Sequence, residues 1–153
     1  MDYQALIRQR KFARNVVDWQ QKDQNKNFMI ARMPLYSSEG FTISGIELGF
    51  EKKLFSQFEP CKYSFTLFNR LESGRYERFF QLEVMAKDKI AHQESGLIIY
   101  GPHLLEIDKT YQIDEDFECE QDEKWLEWFL DRANIEYDMS LYNRPSSQMD
   151  WVL

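Results

Sequence analysis

The sequence lacks the long apolar run that a membrane-spanning helix needs. No stretch approaches the roughly 20 consecutive apolar residues that cross a bilayer. Residues 1–11 carry charges where a secretory signal peptide has its apolar stretch. These two absences predict a cytoplasmic protein that has no membrane partner.

Cysteine is scarce as well. The chain has two cysteines, Cys61 and Cys119, which are too few for a disulfide framework and have the wrong spacing for a zinc knuckle. Cys61 also lacks a recognisable histidine partner that would activate it as a nucleophile. The sequence therefore predicts a reducing compartment and an inert, partly buried thiol at Cys61.

Positive residues are outnumbered by acidic ones, and glycine is scarce. The net charge is -7 and the isoelectric point is near 4.9. Because phosphate contacts require an excess of Lys and Arg, direct binding to nucleic acid or to an anionic membrane is not expected. The six glycines are scattered, and Gly45 and Gly49 lie inside a strand pattern, which excludes a standard phosphate-binding loop. No cofactor is predicted.

Apolar and aromatic residues, in contrast, are plentiful. They make up 43% and 16% of the 153 residues, which is typical of a folded globular protein and excludes a disordered chain. A chain of this length fits one domain. We therefore predict a single domain at residues 1–153, with residues 138–153 as a docked or flexible tail.

The hydrophobic periodicity predicts an α+β fold. Apolar residues recur at helical spacing over about the first twenty residues and again over residues 120–133. Alternation predicts strands at residues 28–33, 41–51, 62–69, 76–85 and 97–100, with a stop at Pro34 and a bulge at Gly45. The expected architecture is an antiparallel sheet of about five strands, flanked by an N-terminal and a C-terminal amphipathic helix.

The negative charge is concentrated in residues 106–138. Carboxylates spaced along a loop and a helix can steer association with a basic protein, and they can imitate a row of phosphates. The predicted partner-binding residues are Asp114, Glu115, Asp116, Glu118, Glu120, Glu123, Glu127 and Trp128. The plain alternative is that these carboxylates only solvate the outer face of an amphipathic helix.

Two histidines, His92 and His103, provide an alternative site. They bracket a glycine turn and an apolar strand, and with Glu94 or Asp108 nearby they could bind a metal ion or act as an acid–base pair. The two histidines are eleven positions apart, which matches no compact metal-binding motif. No metal is predicted on this basis, and a structural role for both histidines is favoured.

Residues 75–113 carry a pattern seen in a known family. That pattern is a basic strand, a histidine before an acidic glycine turn, an apolar run, and then Pro-His-hydrophobic-His-hydrophobic-Tyr. The matching stretches here are His92-Gln93-Glu94-Ser95-Gly96, Leu97-Ile98-Ile99 and Gly101-Pro102-His103-Leu104, followed by the aromatic helix around residues 125–129. Over about a third of its length, the chain thus resembles an uncharacterised family of small proteins often encoded by phages and mobile elements. Leu105 and Ile107 replace the second histidine and the tyrosine, so the resemblance implies a genomic setting rather than an activity.

Two functions from different classes follow. The first is a non-enzymatic inhibitor of the immunity, antitoxin or phage anti-defence type, whose acidic surface covers a basic, nucleic-acid-handling site on a protein partner. The second is a small metal-dependent or acid–base enzyme that uses His92 and His103. A third role, as a homodimer or a subunit of a larger complex, would use the apolar end of the chain at Trp151, Val152 and Leu153.

Overall fold

A computed structural model describes residues 1–54, 61–94 and 96–145, and the chain is mostly β-structure. The helices are α1 (Tyr3–Arg8) and α2 (Asp122–Ala133), with a 3-10 turn at Met139–Leu141. The strands are β1 (Lys11–Ala13), β2 (Gln20–Lys22), β3 (Asn25–Tyr36), β4 (Thr42–Lys53), β5 (Lys62–Arg70), β6 (Tyr76–Met85), β7 (Ile90–Glu94), β8 (Leu97–Tyr100), β9 (His103–Glu106), β10 (Lys109–Gln112) and β11 (Ile135–Tyr137).

Nine of the strands in these ranges form one sheet. Their order is β10-β9-β6-β5-β4-β3-β1-β11, and β2 also pairs with β3. All of these pairs are antiparallel except β1–β11, in which Lys11 lies opposite Ile135 in parallel register. Strands β7 and β8 form a separate hairpin. The prediction of a five-stranded antiparallel sheet with two amphipathic helices is therefore wrong, because the sheet is larger and mixed and α1 is under two turns long.

The predicted N-terminal helix ends early because of Lys11. The side chain of Lys11 is fully buried, and its ammonium group donates hydrogen bonds to the backbone carbonyls of Leu6 at 2.6 Å, Ile7 at 3.2 Å and Gln9 at 2.5 Å. The carbonyls at the end of a helix have no partner within the helix, and a cation there satisfies them. The chain then leaves the helix, and Lys11 begins strand β1 instead of a third helical turn.

Strand β3 continues through Pro34, where the sequence predicted a stop. On the edge away from β4, β3 is paired by β2 as far as Ile30 and by β1 only at Tyr36. Pro34 lies between these two pairings, at a position paired on one side only, where a missing N–H is tolerated. The predicted bulge at Gly45 is confirmed: its φ is +80° and the register between β3 and β4 shifts there.

One face of the sheet, the inner face, packs against α2. The predicted alternation in the central strands is confirmed, and Leu48, Phe65, Leu67 and Leu82 all point inward and are buried. Phe129 of α2 packs against Phe65 and Phe80, with ring centroids 6.0 Å and 5.4 Å apart. The predicted C-terminal helix and its apolar stripe are thus present.

The opposite, outer face carries a row of small and polar residues. Cross-strand register places Arg32 opposite Gly49, Gly49 opposite Thr66, and Thr66 opposite Gln81. Thr66 is only 2% exposed although it points away from α2. Larger side chains around this row therefore cover Thr66 on the outer face.

Part of the predicted tail is docked. Residues 138–145 follow β11, and Tyr142 is buried against Phe50, with ring centroids 6.1 Å apart. Residues 146–153, including the apolar end proposed for dimer formation, lie outside the described residues. The homodimer therefore stays a prediction.

Candidate partner-binding surface

The segment between β10 and α2 alternates between half-buried and exposed residues. Residues 113, 115, 117, 119 and 121 are half-buried, and the four residues between them are exposed. All four exposed residues are acidic: Asp114, Asp116, Glu118 and Glu120. The segment thus presents four exposed carboxylates, which we call the acidic row.

Several contacts fix the acidic row against the sheet and helix. The ring of Phe117 packs edge-on against the indole of Trp125, with centroids 5.1 Å apart. The Trp125 indole N–H donates to the backbone carbonyl of Glu118 at 3.1 Å. The Tyr63 hydroxyl donates to the backbone carbonyl of Cys119 at 2.6 Å. Because the backbone is held in place before a partner arrives, binding would cost little ordering entropy.

A disulfide between Cys61 and Cys119 provides a covalent anchor for the same segment. The two Cα atoms are 6.0 Å apart, within the usual range for a disulfide. The bond ties the acidic row to the chain just before β5. The prediction of an inert thiol at Cys61 is therefore wrong. A separation of 58 residues gave no indication of the pairing, which depends on how the sheet brings the two segments together.

Helix α2 contributes two more exposed carboxylates, Glu123 and Glu127, one turn apart. We use the name acidic surface for the acidic row and these two helix carboxylates taken together. Among the described residues, none of these six carboxylates is within ion-pair distance of a lysine or arginine. Lys124, which lies beside Glu123, is placed over the ring of Phe117 at 5.9 Å instead. The carboxylates are therefore available to a cationic partner.

Glu115 and Trp128 are placed differently from the other predicted binding residues. Both are half-buried, and the Trp128 indole N–H donates to the Glu115 carboxylate at 3.1 Å. The guanidinium of Arg132 lies over the Trp128 ring at 3.9 Å from its centroid. One face of this indole is thus covered. Glu115 and Trp128 support the acidic surface from behind and contribute little area to it.

Asp122, which sequence reasoning missed, is a carboxylate of another kind. It is 2% exposed, and it accepts a hydrogen bond from the Tyr142 hydroxyl at 2.7 Å and an ion-pair contact from Arg144 at 2.8 Å. Burial, followed by the charge of Asp122, raises the pKa of Tyr142 above its ordinary value. These contacts tie the docked tail to the first turn of α2. Within a run of acidic residues, no sequence signal separates Asp122 from its exposed neighbours.

The two histidines lie in different sheets. His92 is in the β7–β8 hairpin, and His103 is in β9, opposite Glu83 of β6. Nε2 of His103 is 3.6 Å from the Glu83 carboxylate, and Nδ1 is 3.0 Å from the backbone carbonyl of Gly101. In the part of the chain that the structure describes, no three His, Cys, Asp or Glu side chains are grouped closely enough to hold a metal ion. The positions of His92 and His103 therefore give no support to the alternative of a two-histidine metal or acid–base site.

Comparison of the chain with protein-family models, with curated proteins and with solved structures finds no match. The resemblance of residues 75–113 to a phage-encoded family accordingly stays a prediction. None of the helices described in the structure is long and apolar enough to cross a bilayer. Function has to be inferred from the side chains themselves.

Proposed function

We propose that this protein binds a partner protein with a basic surface through its acidic surface, and inhibits that partner in the manner of an immunity protein, an antitoxin or a phage anti-defence factor. The observation that supports this most directly is the acidic row. Four carboxylates on alternate residues are exposed, while contacts of Phe117 and Cys119 between them hold the backbone in place.

The spacing of the acidic row suits a target that handles nucleic acid. Such a target lines its site with Lys and Arg that contact successive phosphates. Four exposed carboxylates on alternate residues from Asp114 to Glu120 offer those cations a comparable series of negative charges. The excess negative charge of the whole chain would also speed the encounter, and both effects weaken as salt screens the charges.

The proposal does not require catalysis. The sequence predicts the cytoplasm, where a nucleic-acid-handling target would be met. The disulfide argues against that location, because disulfides persist mainly in oxidising compartments. The redox state of Cys61 and Cys119 in freshly lysed cells therefore bears directly on the location, and it is among the predictions below.

The test is affinity capture of the tagged full chain from lysate of its host and of competing strains, with parallel washes at low and high salt. We expect one basic protein to be retained in stoichiometric amount at low salt and lost at high salt. Purified, that protein should lose its nucleic-acid binding or cleavage activity when the acidic protein is added. Retention of full activity in the mixture would refute inhibition even if the two proteins bind.

A charge-matched pair of variants makes the test specific. The first replaces the acidic row with neutral residues: Asp114→Ser, Asp116→Ser, Glu118→Gln and Glu120→Gln. The second removes the same number of charges from exposed turns elsewhere: Glu39→Gln, Glu72→Gln, Asp88→Ser and Asp108→Ser. We expect the affinity of the first variant for the partner to fall at least tenfold more than that of the second, because only the first removes the clustered carboxylates. Equal retention by both variants would show that the row merely solvates the surface.

A further inference from the structure

A cavity of about 260 Å³ lies on the outer face of the sheet, remote in the fold from α2 and the acidic surface. It is formed where β3, β4, β5 and β6 run side by side, with Lys22 of β2 at its margin. Gly49 and Thr66, which are neighbours in the cross-strand row, both line it. The cavity therefore follows from the strand register and does not depend on a loop.

The absence of a side chain at Gly49 allows Phe68 to form part of the cavity wall. A Cβ atom at this position would come within 2.4 Å of Cε2 of Phe68, so the Phe68 ring lies directly over the glycine. The Arg32 guanidinium in turn contacts two rings, 5.1 Å from the centroid of Phe68 and 4.1 Å from that of Tyr76. Stacking between aromatic rings holds a guanidinium in place and leaves its N–H groups at the edge free to donate.

The charge of the cavity is opposite to that of the chain as a whole. Lys22, Arg32 and Arg78 line it, against one carboxylate, Glu51. Glu51 already accepts a hydrogen bond from Lys22 at 2.9 Å. Within the described residues, neither arginine has a carboxylate at ion-pair distance. Two guanidinium groups thus border one cavity with their charges uncompensated, in a protein of net charge -7.

The polar groups beside the arginines also present donors. Arg78 donates to the side-chain oxygen of Gln81 at 2.7 Å, and the Gln81 amide nitrogen donates to the Thr66 hydroxyl oxygen at 2.7 Å. In these two hydrogen bonds the side-chain oxygens of Gln81 and Thr66 act as acceptors, and the Thr66 hydroxyl proton remains available to donate. Ser64, also a buried hydroxyl, lies in the same wall. A cavity with cations and hydroxyl donors favours an oxyanion.

We propose that this cavity binds a small ligand through a phosphate or carboxylate group, which Arg32 and Arg78 contact together and which the Thr66 hydroxyl supports. The volume is close to the lower end of the range for small-molecule sites, so a molecule of metabolite size is the expected ligand. The proposal is independent of the protein partner, because it uses the outer face of the sheet and none of the residues of the acidic surface.

The experiment is an NMR titration of the full, isotope-labelled chain with inorganic phosphate in one arm and succinate in the other. We expect saturable shifts of the Arg32 and Arg78 side-chain N–H signals and of the Thr66 amide in at least one arm. The arm that binds more tightly identifies the anion. No shift at these three residues up to about 20 mM of either anion, where even a weak specific site would be occupied, would overturn the proposal.

Three single substitutions make the titration decisive. Arg32→Gln and Arg78→Gln should each weaken binding about tenfold or more, because each removes a charged donor. Arg75→Gln removes an equally exposed arginine in the β5–β6 turn, outside the cavity, and should leave the affinity unchanged. Circular dichroism of each variant establishes that it folds. Equal weakening by all three would mean that the anion is attracted by general charge and would refute the site.

Discussion

Asp122 and Arg144 form an ion pair in which the carboxylate is buried and the guanidinium is mostly exposed. Their side chains are 2% and 58% accessible, and the closest contact is 2.8 Å, from Nη2 of Arg144 to Oδ1 of Asp122. The other carboxylate oxygen accepts from Tyr142. This pair therefore fastens the end of the described chain to the start of α2, the helix that carries Glu123 and Glu127.

We predict that Asp122→Ala lowers the free energy of unfolding by ~2–3 kcal/mol, because the Tyr142 hydroxyl is left buried without its acceptor while Arg144 can regain water. Urea denaturation followed by tryptophan fluorescence measures the change. Glu123→Ala, one residue away and exposed, is the matched control and should cost less than about 1 kcal/mol. Similar losses for the two variants would contradict a special role for Asp122.

The disulfide gives a second stability prediction. Replacing Cys61 and Cys119 with serine opens a link between residues 58 apart, and chain entropy alone makes the resulting loss about 4 kcal/mol. Urea denaturation of the double variant, against the unaltered chain with and without reductant, measures it. Reductant should destabilise the unaltered chain and leave the variant unaffected.

The state of the same two cysteines in cells is a separate prediction. We expect rapid alkylation during lysis, followed by mass measurement, to find no labelled thiol, because both sulfurs are in the bond. Two labelled thiols per chain would show that the protein is kept reduced. That result would support the cytoplasmic location predicted from the sequence and would remove the covalent anchor from the acidic row.

The central strands of the sheet could be predicted from the sequence, whereas the short strands could not. In β5 the alternation of Phe65 and Leu67 with Ser64 and Thr66 is long enough to show both the strand and its buried face. Strands such as β1 and β11 are three residues long, too short for a period of two to be distinguished from chance. These two strands form because β3 and α2 bring them together, and such tertiary contacts are not visible in a local sequence pattern.

The two candidate sites also combine residues that the sequence indicates with residues that it does not. The exposed carboxylates of the acidic surface are recognisable from charge alone, whereas the buried Asp122 is not, since its neighbours have the same side-chain chemistry. The outer-face cavity needs Arg32, Gly49 and Thr66 to be adjacent across three strands. That adjacency depends on strand register, which no local pattern in this chain specifies.

At alkaline pH the buried tyrosines should limit stability. Burial, followed by the charge of Asp138, raises the pKa of Tyr137 to about 12 from its ordinary value of 10.0, and burial is also the main cause of the raised pKa of Tyr63. The folded state therefore holds these protons more tightly, so its stability is full below pH 10 and falls as the pH rises above it. Absorbance at 295 nm should show that Tyr63 and Tyr137 ionise only well above pH 10. Ionisation of all the tyrosines near pH 10 without unfolding would contradict this.

Lys11 should have the opposite effect in a lower range of pH. Burial lowers the pKa of its ammonium group to about 8, against 10.5 in the unfolded chain. Between these values the unfolded state binds more protons than the folded state, so the free energy of unfolding rises with pH. The hydrogen bonds from Lys11 to three carbonyls favour its charged form. The free energy of unfolding therefore rises by at most about 3 kcal/mol over this range of pH.

Urea denaturation at half-unit steps from pH 7.5 to 10 should show this increase in the unaltered chain. Lys11→Met has no group that titrates there and should give a flat profile over the same steps, even if it is less stable throughout because three carbonyls lose their donor. Lys109→Met, at an exposed lysine in β10, controls for the loss of one positive charge and should keep the increase. A rise of equal size in the Lys11→Met protein would assign the effect to another group and would mean that Lys11 stays charged in the folded state through pH 10.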